Sequence, residues 1–477
     1  MIRESFVLDV WHNSGASPYA RFTDQEFKEL VPTHFLTEAV DQTRGWANSL
    51  LLEHIIYTGK PEAPYQEFLF QGFVLDAKGR KMSKSLGNVL EINKLLHERS
   101  ADITRFYFMW KCSPIDSMNF DPNELKGRPY QVLSTLYYLH NFFMQNAKYD
   151  NFDPKKHTLQ WAIKEDALNP PDRWLLSKLQ ALVREFTVMA EKCEFNSALS
   201  KLEDFIVNIL SREYVPMIRK DLWSDDPETL NRRLAVYSTL WYSLKKLVLL
   251  SNPATPYMSE ALFQTVYKLM DDSLPETVNL ENWPTPDKNL EDLSLEKEFE
   301  MLLQTLPILY SARQDAQLKR RWPLAKAVVI ASNKFHKAIQ KLEPLFLELA
   351  NIKMVEYLDE LPEVDTKKWA VASEGEIHVL LDKNRDSTLE GEGLMRDLAR
   401  RVQALRKDLG FSPTDIVNAV HIAELDPNDI LLLEPYLARM EELVRAKKVH
   451  VHEKRVDLGT DWHENKLDKK KIYVVVH

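Results

Sequence analysis

No glycine occurs between Gly127 and Gly375, whereas six of the twelve in this 477-residue chain lie within its first 87 residues. Glycine is needed where the backbone takes positive φ or must approach a ligand closely. Its absence from the long middle predicts helix there, and its density near the N-terminus marks a region of tight turns around a candidate site. Apolar periodicity gives the same reading of the middle. Trp174, Leu175, Leu179, Leu182, Val183, Phe186 and Met189 recur at helical spacing. Similar patterns run through 196–223, 228–251, 255–271 and 294–318, and Thr255-Pro256 reads as an N-cap followed by proline at the first helical position. The expectation for 128–318 is a bundle packed through apolar stripes.

Composition narrows the function classes. No apolar run is long enough to span a membrane, so no membrane partner is expected. Cys112 and Cys193 are the only cysteines, lie far apart and form no CxxC pair. That excludes a disulfide scaffold and a thiolate zinc site, and it fits a reducing, cytoplasmic setting. The net charge of −9 means that a nucleic acid would have to be held by local basic patches.

Beyond the bundle an internal repeat is expected. Leu342-Glu343-Pro344 recurs as Leu433-Glu434-Pro435, and Ala327-Val328-Val329-Ile330 has a counterpart in Asn418-Ala419-Val420-His421. A basic helix ending at Leu318 matches one ending at Leu409 and capped by Gly410. Each unit reads basic helix, strand, helix, strand, closing at Val355-Glu356-Tyr357 and at Val449-His450-Val451.

The segment with most chemistry follows Phe68–Leu75, read as one buried strand. Asp76-Ala77-Lys78-Gly79-Arg80 leads into Lys81-Met82-Ser83-Lys84-Ser85-Leu86-Gly87-Asn88. A strand, a glycine turn and two lysines three apart among small hydroxyl residues can fold over a polyphosphate. The ammonium groups would neutralise charge as pyrophosphate leaves.

FVLDAKGRKMSKSLGN resembles the KMSKS loop of class I aminoacyl-tRNA synthetases. Asp9–Gly15 resembles the DVWFDSG element of the isoleucine, valine and leucine branch, with His12 and Asn13 in place of its Phe and Asp. Glu38–Trp46 resembles EGxDQxRGW, with Ala39 for its Gly and Ala47 for the aromatic that follows. Arg396–Asp415 is similar to the C-terminal region of archaeal and eukaryotic isoleucyl-tRNA synthetases. The resemblance implies that Lys81, Met82, Ser83, Lys84 and Ser85 bind ATP, with Lys81 and Lys84 catalytic at the phosphates. Glu38, Asp41 and Gln42 would contact the aminoacyl-adenylate, and Trp11 and Trp46 would wall the amino-acid pocket.

The resulting expectation is a mostly α chain with α/β parts. Residues 1–127 would be the second half of a Rossmann-type catalytic domain, 128–322 a helical anticodon-binding domain, and 323–477 a duplicated α/β module. No HIGH-type sequence and no editing domain is found, which points to the C-terminal part of a split or truncated synthetase partnered by a separate N-terminal half. Isoleucine and its tRNA are the expected substrates, with Mg²⁺ accompanying ATP. Valyl or leucyl specificity, or a tRNA-binding module without catalysis, are the alternatives. Arg313, Lys319, Arg320, Arg321, Arg400, Arg401, Arg406 and Lys407 are the expected tRNA contacts. His450, His452, His463 and His477 show no ligand spacing, so no metal site is expected.

Overall fold

The computed structural model describes residues 9–223, 226–412, 415–467 and 470–477, and in it Gly72 divides what the sequence reads as one strand. The first eight residues of the 1–127 segment, and Pro413 and Thr414 of the 396–415 segment, lie outside the described residues. Strand β1 (Thr33–Ala39) pairs in parallel with β2 (Tyr65–Gln71), bringing Glu38 opposite Phe70. After Gly72 the chain changes partner, and β3 (Val74–Leu75) pairs in parallel with β4 (Met118–Asn119). The switch has a steric cause. A Cβ on Gly72 would fall 2.2 Å from the Asp116 carbonyl carbon, so only glycine lets the two backbones pass. Leu95, Tyr107, Met118, Phe120 and Leu125 form the core beneath β3 and β4.

The chain folds as two compact units. One comprises Met1–His140, Leu179–Ser211 and Leu244–Pro286, and contains β1 to β4. Its helices include Trp46–Thr58, Ala101–Trp110 and Pro256–Leu262, the last continuing as a π-helical stretch Phe263–Lys268. Thr255 does not cap this helix with its side chain, which instead donates to the Ser251 carbonyl. Asp102 takes the role from a distance, accepting from the Tyr257 and Met258 amides at 3.3 and 2.6 Å. Sequence periodicity could not find a cap 155 residues away.

The other unit comprises Asn141–Lys178, Arg212–Ser243 and Asp287–His477. The helix Pro170–Glu191 covers the periodic run from Trp174 to Met189, and Leu293–Asp315 covers the run expected at 294–318 except its last three residues, where Gln317 takes positive φ. Trp174 stacks on Phe299 with centroids 4.9 Å apart. Two acidic side chains in its interior are paired: Asp172 accepts from Tyr214 and Arg232, and Asp150 from Arg233 and Tyr237.

This unit also holds two four-stranded sheets of one topology. In the first, β5 (Leu324–Ile330) lies between parallel β6 (Ile352–Leu358) and antiparallel β8 (Ile377–Asp382), with β7 (Trp369–Glu374) outside β8. In the second, β9 (Val417–Ala423) lies between parallel β10 (Ala446–Val451) and antiparallel β12 (Lys470–Val476), with β11 (His463–Leu467) outside β12. The closing hairpins are absent from the sequence pattern described above. Its register also differs from the structural one. β5 begins at Leu324 as β9 begins at Val417, so Ala327 corresponds to Val420 and not to Asn418. Leu342-Glu343-Pro344 opens the helix Glu343–Ala350, whereas Leu433-Glu434-Pro435 precedes the helix Leu437–Val444. In both, the leucine is the N-cap of the helical segment that follows and the proline lies in its first turn, the second segment opening as a single 3-10 turn, Glu434–Tyr436, before the α-helix.

Candidate nucleotide-binding loop and basic cavity

From β3 the chain enters a turn in which Gly79 takes φ 75° and its amide donates to the Asp76 carbonyl. Asp76 Oδ1 accepts from the Lys78 and Arg80 amides at 3.0 and 2.8 Å, and Oδ2 from Arg80 Nε and Asn88 Nδ2, each at 2.9 Å. The bond from Asn88, the Arg80 amide and the Arg80 guanidinium hold this carboxyl well below the usual carboxylate range. Ser83 starts the short turn Lys84–Leu86, its hydroxyl accepting from the Leu86 amide and lying 3.1 Å from the Ser85 hydroxyl. Gly87 closes the turn at φ 64°. The ammonium of Lys81 lies 4.6 Å from the Phe73 ring centroid. Lys84 is exposed, and among the described residues no carboxylate pairs with either lysine. Two cations are thus carried on a braced loop without an internal counter-ion, as an anionic ligand requires.

Around Gly45 three of the expected pocket residues meet. A Cβ there would lie 2.6 Å from Gln42 Oε1 and 3.4 Å from the Trp11 ring. Gln42 Oε1 accepts from the Trp46 amide, and the Trp46 indole donates to the Ser14 carbonyl at 3.0 Å. Glu38 and Asp41 are exposed nearby in sequence, Glu38 at the end of β1 and Asp41 in the turn that follows. Ala39 sits at φ −67°, so the alanine that replaces the family glycine carries no backbone strain. His12 pairs with Glu53.

The expected tRNA-contacting residues separate into groups. Arg313 and Arg406 are each 1% exposed. Arg313 donates to the carbonyls of Lys319, Trp322, Ala350 and Asn351, and Arg406 to those of Val444, Arg445 and Asp415. Neither can reach a phosphate. Both brace the end of their own helix against the end of the second helix that follows it, a use of arginine that a linear sequence does not distinguish from surface charge. Arg401 is likewise occupied, by the Lys466 and Asp397 carbonyls, and Lys319 pairs with Asp397 at 3.4 Å. Lys407 is exposed.

Arg320, Arg321 and Arg400 line a cavity of about 960 Å³ together with Arg219, Arg396 and Arg439. Sequence reasoning missed the last three. Arg396 and Arg400 stand one turn apart on the helix Ser387–Asp408, a spacing that could have found the pair. Among the described residues Glu392 is the one carboxylate in the lining, and it is held by Lys353 and Arg396. Burial and the nearby guanidinium of Arg400 pull Arg321 below its ordinary pKa. Trp223 and Tyr436 add aromatic surface. This cavity suits a polyanion carrying flat rings.

Histidines scattered in sequence meet on the second sheet. His421 Nδ1 lies 3.1 Å from His452 Nε2, and the rings of His450 and His477 are 4.7 and 5.7 Å from that of His421. Burial and these neighbours push His421 down to about 4. Among the described residues, no group of three or more His, Cys, Asp or Glu is arranged to hold a metal ion. No helix among them is long and apolar enough to cross a membrane.

Residues 1–121 match the family of class I tRNA synthetases for I, L, M and V, and residues 172–330 match the anticodon-binding domain of tRNA ligase. The chain belongs to the class I tRNA synthetases. Within that class it is related along nearly all its length to proteins named isoleucine–tRNA ligase. It is 32% identical over 469 residues to that of Pyrobaculum aerophilum, covering 97% of this chain and 45% of the relative. To that of Methanopyrus kandleri it is 31% identical over 497 residues, covering 100% of this chain and 42% of the relative. The chain therefore spans less than half the length of these relatives. A solved leucyl-tRNA synthetase–tRNA complex from Agrobacterium radiobacter K84 aligns with 61% of the chain and 35% of its own, at 19% identity and a TM-score of 0.48.

Proposed function

We propose that this chain is the part of an isoleucine–tRNA ligase that grips the ATP polyphosphate and the tRNA, acting in the cytoplasm with the remaining part of such an enzyme. In this reading 1–127 carries the phosphate loop, 128–322 the anticodon-binding helices and 323–477 the duplicated module. The observation that carries the reading is the braced loop presenting Lys81 and Lys84 without an internal carboxylate partner. The isoleucine carboxylate attacks the α-phosphorus of Mg²⁺-bound ATP, and pyrophosphate departs toward the two ammonium groups, which offset its growing charge. Trp11 and Trp46 offer rigid apolar walls to a branched side chain, and Glu38, Asp41 and Gln42 offer acceptors to its ammonium group and to ribose hydroxyls. The arginine cavity takes phosphates of the tRNA.

The test is ATP–pyrophosphate exchange with isoleucine, on this chain alone and after adding the segment of its relatives that the chain does not span. Exchange that appears on mixing, and is greater with isoleucine than with valine or leucine, is the expected result. Exchange driven by valine or leucine instead reassigns the amino acid. Salt-sensitive tRNA binding with no exchange in any mixture leaves a tRNA-binding module without catalysis.

A further inference from the structure

We propose that Asp76 and Asn88 form a clasp that positions Lys81 and Lys84, making them positioning residues of the phosphate loop. The inference rests on the reading of those lysines as polyphosphate ligands. Asn88 lies beyond the second lysine, Asp76 lies before the first, and they meet at 2.9 Å. The amide of Arg80, just before Lys81, donates to Asp76 Oδ1 at 2.8 Å. The amide of Ser83, just before Lys84, donates to Asn88 Oδ1 at 2.9 Å. Asn88 Nδ2 also reaches the Lys81 carbonyl at 3.3 Å. The backbone of Lys81 is thus held on both sides. The turn that displays Lys84 starts from a residue whose amide is fixed by Asn88.

Asp76 has no capacity left for another role. A carboxylate has about four lone-pair sites, and these are taken by the Lys78 and Arg80 amides, Arg80 Nε and Asn88 Nδ2. It is only 9% exposed. A general base or a metal ligand needs an open lone pair, and Asp76 offers none. Its charge strengthens the bond from Asn88. The result is a loop that keeps its lysines spread before the anion arrives, in place of two flexible side chains on a chain freed by Gly79 and Gly87.

The decisive experiment uses the whole chain and inorganic pyrophosphate as probe. Affinity is measured by calorimetry and exchange of the Arg80 and Ser83 amides by hydrogen–deuterium NMR. Asn88→Asp keeps size and the acceptor for Ser83 but loses the donor to Asp76 and sets carboxylate against carboxylate. It is expected to weaken pyrophosphate about tenfold and to speed exchange of both amides. Asp76→Asn combined with Asn88→Asp restores one donor–acceptor pair and recovers part of both losses. Lys84→Ala weakens pyrophosphate while leaving Ser83 exchange alone. Wild-type affinity and wild-type exchange in Asn88→Asp would overturn the clasp. If the unmodified chain does not bind pyrophosphate, the phosphate reading of the lysines falls. The clasp is then decided by exchange, which supports it when faster in Asn88→Asp and refutes it when unchanged.

Discussion

Lys84 and Arg313 carry the same charge in opposite circumstances, and their substitutions should read out differently. Lys84 is exposed without a carboxylate partner among the described residues, and in the proposed function its ammonium meets charge that develops as pyrophosphate departs. In an assembled enzyme Lys84→Ala should lower kcat for adenylate formation by about 10²-fold, raise KM for ATP less, and leave transfer from preformed adenylate nearly unchanged. A pure KM effect in steady-state exchange would return Lys84 to uniform binding. Arg400→Gln and Arg321→Gln should each reduce the slope of log Kd for tRNA against log salt by about one. Arg313→Gln should leave that slope intact while lowering stability. His140 supplies the pH dependence. It is fully buried, bonded to the Leu136 carbonyl and the Tyr267 hydroxyl, and burial pushes its pKa down to about 4. The unfolded state, with histidine near 6.5, takes up a proton that the folded state refuses. Stability from this group is therefore complete above pH 6.5 and falls by about 3 kcal/mol as the pH drops toward 4. Thermal melts of His140→Gln across that range should show a shallower decline than the unmodified chain. Equal slopes would place the acid sensitivity elsewhere.

Among the elements, the legible features were those set by local pattern. Apolar spacing located the helices Pro170–Glu191 and Leu293–Asp315, and the glycines at 79 and 87 marked the two ends of the lysine–serine loop, where both take positive φ. What stayed hidden depends on distant partners. The break at Gly72 is imposed by Asp116, the cap at Pro256 by Asp102, and the burial of Arg406 by carbonyls of 444 and 445. The arginine cavity, too, gathers residues from 216 to 443 that no window contains. The two braces suggest an element-scale test. Arg313 and Arg406 each hold carbonyls at the end of the second helix of their module, next to Asn351 and Arg445, which both take positive φ. Arg406→Met would strand these carbonyls without donors and should cost about 2–4 kcal/mol. Chemical denaturation measures it, and a loss below about 0.5 kcal/mol would mean that water replaces the guanidinium.

For the molecule as a whole, the first unit is conspicuous for what it leaves uncovered. β1 and β2 form a two-stranded parallel sheet, an arrangement that elsewhere is covered on both faces. Phe35 on β1, Val40 in the turn after it, and Leu52, Ile56 and Tyr57 on the helix Trp46–Thr58 are exposed, Ile56 by 77%. The chain alone should therefore self-associate, and the segment of its relatives that the chain does not span should suppress this when mixed with it. Light scattering with and without that segment decides the point: a stable monomer at high concentration would mean that the surface needs no partner.

The two sheets of shared strand order have a consequence for how the chain reaches its native state. In an unfolded chain each central strand meets two eligible hairpins, so β12 can dock against β5 as well as β9, and β8 against β9. Such misassembly is a hazard of repeat architectures. Refolding of 323–477 should accordingly show a slow kinetic phase of crossed hairpins that must reopen, and deleting 417–477 should abolish it by removing the second acceptor strand and its hairpin together.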